Sequence, residues 1–274
     1  MLADKVLARF TQLPGARNFW LRFPFGSVDT RVRHDIWSRP HYAYGVYEAA
    51  QLARRLDLSA ISVLELGVAG GRGLLALAEL AKVIGRHLGV QISVVGFDSG
   101  QGMPAPTDYR DLPHVWGQGF YAMDAAQLRS RLSGAELIVG DVAETIPAWL
   151  ARPARAPLGF AAFDLDYYSS TVAAFRLFEA GYAAQRLPRV YCYFDDTALP
   201  ERACHNEYVG ELCAIREFNE GHAEQKICPI HMLRWTRLHP AAWNEQMYVF
   251  HDFRHPLYCR NITPSGEEYS QLPL

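Results

Sequence analysis

The chain has little cysteine, no long apolar run and no excess of charge of either sign. Its five cysteines, Cys192, Cys204, Cys213, Cys228 and Cys259, are odd in number and scattered. That pattern supports neither a disulfide framework nor a zinc cluster, so reduced thiols in a cytoplasmic protein are expected. No apolar stretch approaches the roughly 20 residues that span a bilayer. The first ten residues mix Asp4, Lys5 and Arg9 with apolar neighbours and do not read as a signal peptide. Formal net charge is −2, with 27 basic and 29 acidic residues spread along the sequence. Lacking a basic stripe or a charged tail, the chain is expected to bind neither nucleic acid nor a membrane. No repeat or low-complexity segment is visible, and no Gly-x-Ser-x-Gly elbow supports a serine hydrolase.

What the chain does have is apolar bulk. Its 274 residues are 50% hydrophobic and 12% aromatic, enough to bury a full core as one large or two small domains. The first part differs from the rest. Phe19, Trp20, Phe23, Phe25, Trp37, Tyr42, Tyr44 and Tyr47 crowd a segment interrupted by Pro14, Pro24 and Pro40. Residues 1–58 are expected to form a helical N-terminal extension, with Tyr44 to Leu56 an amphipathic helix, and 59–274 the main domain. The aromatics read either as packing or as a lid over a site, and the segment could equally dock on a second copy, so a homo-oligomer stays open.

From Ile61 the pattern alternates. Strands are expected at Ile61–Leu66, Val90–Phe97, Leu137–Val139, Gly159–Phe163 and Arg189–Phe194, and helices at Gly73–Ile84, Met123–Leu132 and Thr171–Tyr182. A helix at Tyr208–Asn219 then precedes strands at Lys226–Leu233 and Gln246–Phe253, with no long helix between them. Near-continuous apolar strands separated by helices imply an α/β, doubly wound, mostly parallel sheet of seven strands. The final pair fits an antiparallel edge.

The most informative stretch is Val63-Leu64-Glu65-Leu66-Gly67-Val68-Ala69-Gly70-Gly71-Arg72-Gly73. A strand ends on an acid, turns through glycines and enters a helix, an architecture that grips nucleoside-bearing cofactors. The acid before the glycines favours S-adenosylmethionine, because a carboxylate there meets an ammonium and repels a pyrophosphate. Asp98, ending the second strand, would accept both ribose hydroxyls, and Asp141 the adenine amino group. Each has a plainer reading as a turn or cap acid, and Ser99-Gly100 makes that reading an even competitor for Asp98. Further along, Asp164, Asp166, Asp195 and Asp196 end two strands expected to be neighbours. Such carboxylates repel one another unless protonated or neutralised, and a hard divalent ion such as Mg²⁺ would relieve the repulsion. Caps on the following helices are the alternative. The C-terminal histidines His231, His239, His251 and His255 show no ligand-like spacing.

These residues resemble a known family. The glycine stretch is similar to the first motif of class I S-adenosylmethionine-dependent methyltransferases. Phe97-Asp98-Ser99-Gly100-Gln101-Gly102-Met103-Pro104, Gly140-Asp141-Val142-Ala143-Glu144-Thr145-Ile146-Pro147, Phe163-Asp164-Leu165-Asp166-Tyr167-Tyr168-Ser169-Ser170-Thr171 and the Asp195-Asp196 pair resemble the macrocin O-methyltransferase family, whose members methylate sugar hydroxyls. The resemblance covers roughly Val63 to Asp196 in the right order. It implies a Rossmann-like methyltransferase sheet, with cofactor contacts from Glu65, Gly67, Gly70, Gly71, Asp98, Ser99, Asp141 and Val142. It further implies Mg²⁺ or another hard divalent cation held by Asp164, Asp195 and Asp196, and Asp164 as general base. Asp166 matches the second acid of its segment. The departures are Thr197-Ala198-Leu199-Pro200 where the family carries a tyrosine and a glycine-rich turn, and the unmatched Trp243-Asn244-Glu245-Gln246-Met247-Tyr248.

The expected activity is therefore methyl transfer to a hydroxyl of a small molecule such as a sugar or polyol. Two rivals remain. A nicotinamide-dependent oxidoreductase is disfavoured by Glu65 and by glycine spacing that departs from Gly-x-Gly-x-x-Gly. A non-catalytic cofactor-binding module stays open, because fold does not fix function.

Overall fold

The computed structural model describes residues 2–153, 155–198 and 200–263, so the end of the expected main domain, 264–274, lies outside the described residues. Seven strands form one sheet: β1 (Ala60–Leu66), β2 (Gln91–Asp98), β3 (Ala135–Val139), β4 (Leu158–Phe163), β5 (Arg186–Phe194), β6 (Gln225–Pro229) and β7 (Met247–Asp252). Their order is β3-β2-β1-β4-β5-β7-β6. The first five run parallel, and β7 lies antiparallel between β5 and β6. Strand order reverses between β1 and β4, which puts a crevice at the carboxyl ends of both.

β1 and β4 are buried along nearly their whole length, which is why they read as continuous apolar runs. Four helices precede the sheet: α1 (Leu2–Phe10), α2 (Ala16–Arg22), α3 (Val28–Arg33) and α4 (Pro40–Arg55). α4 lies on one face of the sheet beside α5 (Arg72–Leu88), burying Tyr42, Val46, Ala49 and Leu52. It comes so close that a Cβ at Gly45 would overlap the Phe160 ring. The other face is covered by α7 (Val142–Leu150), α8 (Tyr168–Ala174) and α9 (Gly210–Gly221), which follow α6 (Ala125–Arg131) in the chain. There Phe163 stacks on Phe194 at 4.5 Å, and Phe178 on Phe250 at 4.1 Å, inside a core shared with Trp149, Phe175 and Phe218.

Three details differ from expectation. Helix α7 carries no clear signal in the sequence, because Pro147 interrupts its apolar pattern. The expected helix over Thr171–Tyr182 starts earlier and ends at Ala174, continuing as 3₁₀ turns over Phe175–Phe178 and Ala180–Gln185. The expected strand over Lys226–Leu233 stops at Pro229, which cannot donate to a ladder, and Leu233–Thr236 turns helical as α10. Among the described residues no helix is long and apolar enough to cross a membrane, and the five cysteines are free thiols.

Candidate functional site

A cleft of about 1170 Å³ opens at the carboxyl edge of the parallel strands. One bank is the turn after β1. Gly67 has a φ of 85° and sits so tightly that a Cβ would overlap the Asp164 carbonyl oxygen. Asp98 holds this turn from the next strand. Its Oδ2 accepts from Val68 N at 2.9 Å and Ala69 N at 2.8 Å, and its Oδ1 accepts from Gly100 N at 2.7 Å. The turn-acid reading of Asp98 is thus realised, with lone-pair capacity left on Oδ1. The Ser99 hydroxyl donates to Gly102 O at 2.8 Å. Asp141 caps α7 by accepting from Ala143 N at 2.8 Å, and Val142 follows it.

Gly67, Asp98, Ser99, Asp141, Val142, Asp164, Asp195 and Asp196 all line this one cleft, and Asp166 joins them. Glu65, Gly70 and Gly71 do not. Gly71 begins α5 against Leu128, and Gly70 faces open space. Glu65 lies beneath the floor, 2% exposed, where its Oε1 accepts from the Tyr42 hydroxyl at 2.7 Å and crowds Gly73. Burial pushes its carboxyl up to about 8, against the opposing pull of Tyr42 and of Arg39. A carboxylate at a strand end points to one face or the other, and Tyr42 on α4 draws this one away from the opening.

The other bank is acidic. Asp164 and Asp196 are held well above the usual carboxylate range, first by burial and then by their acidic neighbours. Glu211, on the first turn of α9, is fully buried and raised in the same way. Burial raises Asp166 to about 6, while its bond with Asp196 pulls the other way. Backbone ties organise the group. Asp166 N donates to Asp196 Oδ2 at 3.0 Å, and Asp196 N donates to Glu211 Oε2 at 3.0 Å. The Tyr193 hydroxyl donates to Asp195 Oδ1 at 2.5 Å. Glu211 Oε1 is buried without a hydrogen-bond partner. Arg39, the N-cap of α4, is the cation that acts on Asp164. Among the described residues, no group of three or more His, Cys, Asp or Glu side chains is arranged to hold a metal ion.

Several lining residues were not found from the sequence: Met103, Trp116, Gln118, Phe120 and Tyr121 on the loop after β2, and Arg202, the one cation among the described lining residues. The available signal was an aromatic-rich, Pro- and Gly-punctuated loop directly after a strand that ends at the ligand edge. The N-terminal aromatics play no such part. Trp20 stacks on Phe25 at 4.5 Å and Phe19 tilts on Phe23 at 5.3 Å, and among the described residues none before Gly67 lines the cleft.

No protein-family model matches the chain, and no curated protein matches it. Solved structures do. A structure of CalS11, described as a calicheamicin methyltransferase, shares 22% identity over 86% of this chain and 89% of its own, with a TM-score of 0.48. The O-methyltransferase TomG from Streptomyces achromogenes, in complex with SAM, shares 16% over 75% and 87%, with a TM-score of 0.39. Cofactor-bound Rv0187 from MTB shares 15% over 77% and 88%, also at 0.39. Five parallel strands in this order, closed by an antiparallel β7 between β5 and β6, give the chain the class I methyltransferase fold.

Proposed function

We propose that the chain transfers a methyl group from S-adenosylmethionine to a hydroxyl oxygen of a small molecule such as a sugar or polyol. The observation that carries this reading is the joining of two unlike banks in one cleft. The Asp98-braced glycine turn and the Asp141 cap suit a nucleoside, and Asp164, Asp166, Asp195 and Asp196 suit a hydroxyl to be deprotonated. At about 1170 Å³ the cleft exceeds the few hundred to one thousand Å³ typical of one small ligand, so cofactor and acceptor fit side by side.

The sulfonium is already activated, so the protein's task is to hold the acceptor oxygen in line behind the methyl group. Asp98 would take the ribose through Oδ1, and the backbone of Gly67 to Ala69 would lie along the cofactor. Glu65 would act from below, through Tyr42 and the start of α5. Asp164 would receive the acceptor's proton. A hard divalent ion belongs to the same proposal: Asp164, Asp195 and Asp196 are not gathered into a ligand set in the ligand-free arrangement, and binding of the ion would draw these three carboxylates together. All its donors are hard oxygens, their mutual repulsion asks for positive charge, and the bare Oε1 of Glu211 lies behind them. When bound, such an ion lowers the pKa of a coordinated hydroxyl.

Calorimetric titration with S-adenosylhomocysteine, with and without Mg²⁺, tests the reading. Micromolar binding that is lost in Asp98→Ala is expected. No binding in either condition sinks it.

A further inference from the structure

The cleft has a third wall, made by chain that the strand–helix alternation does not account for. Between β2 and α6 the backbone closes on itself. Met103 N donates to Phe120 O at 2.8 Å, and Gly119 N donates to Met103 O at 2.8 Å. The enclosed loop has a small core of its own, in which Met103, Leu112 and Trp116 pack with Tyr167 and Ala203. Asp111, fully buried, fastens the loop to α8. It accepts from Ser169 N at 2.8 Å, from the Ser169 hydroxyl at 3.0 Å and from Thr107 N at 2.7 Å. This is a built wall and not slack chain.

Tyr121 stands where that wall meets the acids. Its φ is 61°, a left-handed conformation that a bulky side chain adopts only against strain. The side chain stays 54% exposed although it lines a cleft. Trp116 flanks it at 6.2 Å and Phe120 at 6.3 Å between ring centroids. Asp166, Asp196 and Asp164 act on its phenol electrostatically, as does Arg202 with the opposite sign. Core packing accounts for none of this, since packing would bury the ring and relax the backbone. A strained backbone that keeps an aromatic face open over reactive carboxylates is the arrangement of a ligand platform.

We propose that Tyr121 is a specificity-determining residue of the acceptor subsite. Its ring takes the apolar face of a cyclic acceptor, while the hydroxyl to be methylated reaches the aspartates. The inference rests on the methyl-transfer reading above. It favours ring-shaped polyols over acyclic ones bearing the same hydroxyl groups.

Saturation-transfer NMR on the full chain tests it, with methyl pyranosides and sorbitol as probes at millimolar concentration, in the presence and absence of S-adenosylhomocysteine. Wild type, Tyr121→Phe and Tyr121→Ala are compared, and each is also titrated with S-adenosylhomocysteine. Pyranoside ring protons should receive saturation while sorbitol does not. Tyr121→Phe should keep that signal, and Tyr121→Ala should bind pyranosides about ten-fold more weakly with nucleoside affinity unchanged. Equal signals from sorbitol, an unaltered Tyr121→Ala, or no pyranoside signal at all would overturn the platform. Failure of the wild type to bind S-adenosylhomocysteine would instead remove the methyl-transfer reading, and the nucleoside-free pyranoside arm would still decide the platform.

Discussion

Replacing Glu65 by Gln should reverse a pH-dependent weakness at the centre of the sheet. Glu65 is 2% exposed, takes one hydrogen bond from Tyr42 and leaves Oε2 without a partner. Its carboxyl rises from 4.5 to about 8 because burial outweighs Tyr42 and Arg39. Below pH 4.5 both folded and unfolded chains hold the proton, and the folded state carries no penalty. As pH climbs from there towards 8, the unfolded chain releases the proton and the folded one retains it, so stability falls. Above 8 the loss is complete and the curve is flat. At about 1.4 kcal/mol per pH unit, the window amounts to about 5 kcal/mol as an upper bound. Gln has the same shape, keeps an acceptor for Tyr42 and has no proton to lose. Urea unfolding of both proteins at pH 5, 6, 7, 8 and 9 reads the difference, because groups on which Glu65 does not act titrate alike in both, and the Asp164 carboxyl that Glu65 helps to raise is relieved in the same direction by the substitution. The stability of Glu65→Gln relative to wild type should improve by several kcal/mol between pH 5 and 8 and level off beyond. Parallel curves, or a variant that loses ground as pH rises, would refute the argument.

The glycines after β1 should separate sharply. Gly67→Ala, strained at a φ of 85° and driven into the Asp164 carbonyl, should cost about 3 kcal/mol or more, whereas Gly70→Ala meets nothing within 4 Å and should leave melting temperature and nucleoside titration unchanged. Asp111→Ala should free the loop after β2, seen as faster proteolytic cutting between residues 103 and 121, with nucleoside affinity preserved; an uncut loop would show that the clamp is dispensable. Excess chelator should abolish methyl transfer, and Mg²⁺ should restore it, while full activity in chelator would remove the cation from the proposal.

What could be read from the sequence followed from local physics. β1, β2, β4 and β5 are apolar runs that end on acids, and both the runs and their ends survive into the structure because a buried parallel strand leaves no alternative. What could not be read depends on distant partners. The direction of Glu65 is set by Tyr42, 23 residues earlier and on another element. The wall carrying Trp116 and Tyr121 has no periodicity, and its placement is decided by Asp111 meeting Ser169, 58 positions away. Nothing local marks Glu211 on its helix; its part in the acidic bank comes from the hydrogen bond it accepts from the backbone N–H of Asp196, 15 positions earlier.

The position of β7 bears on the order in which the molecule can be completed. β5 and β6 have no direct pairing and are joined only through β7, the last strand of the sheet in the chain. While the chain emerges from the ribosome, β5 therefore waits with one edge bare and β6 waits with no neighbour, a state prone to wrong pairing. The residue just before β7 also reaches the acidic bank: Phe194 N donates to Gln246 O at 3.0 Å, and the Gln246 side chain donates to Asp195 O at 2.5 Å. The segment that closes the sheet thus also anchors the Asp195 turn, so the acidic bank is finished only after nearly all of the described chain has been made.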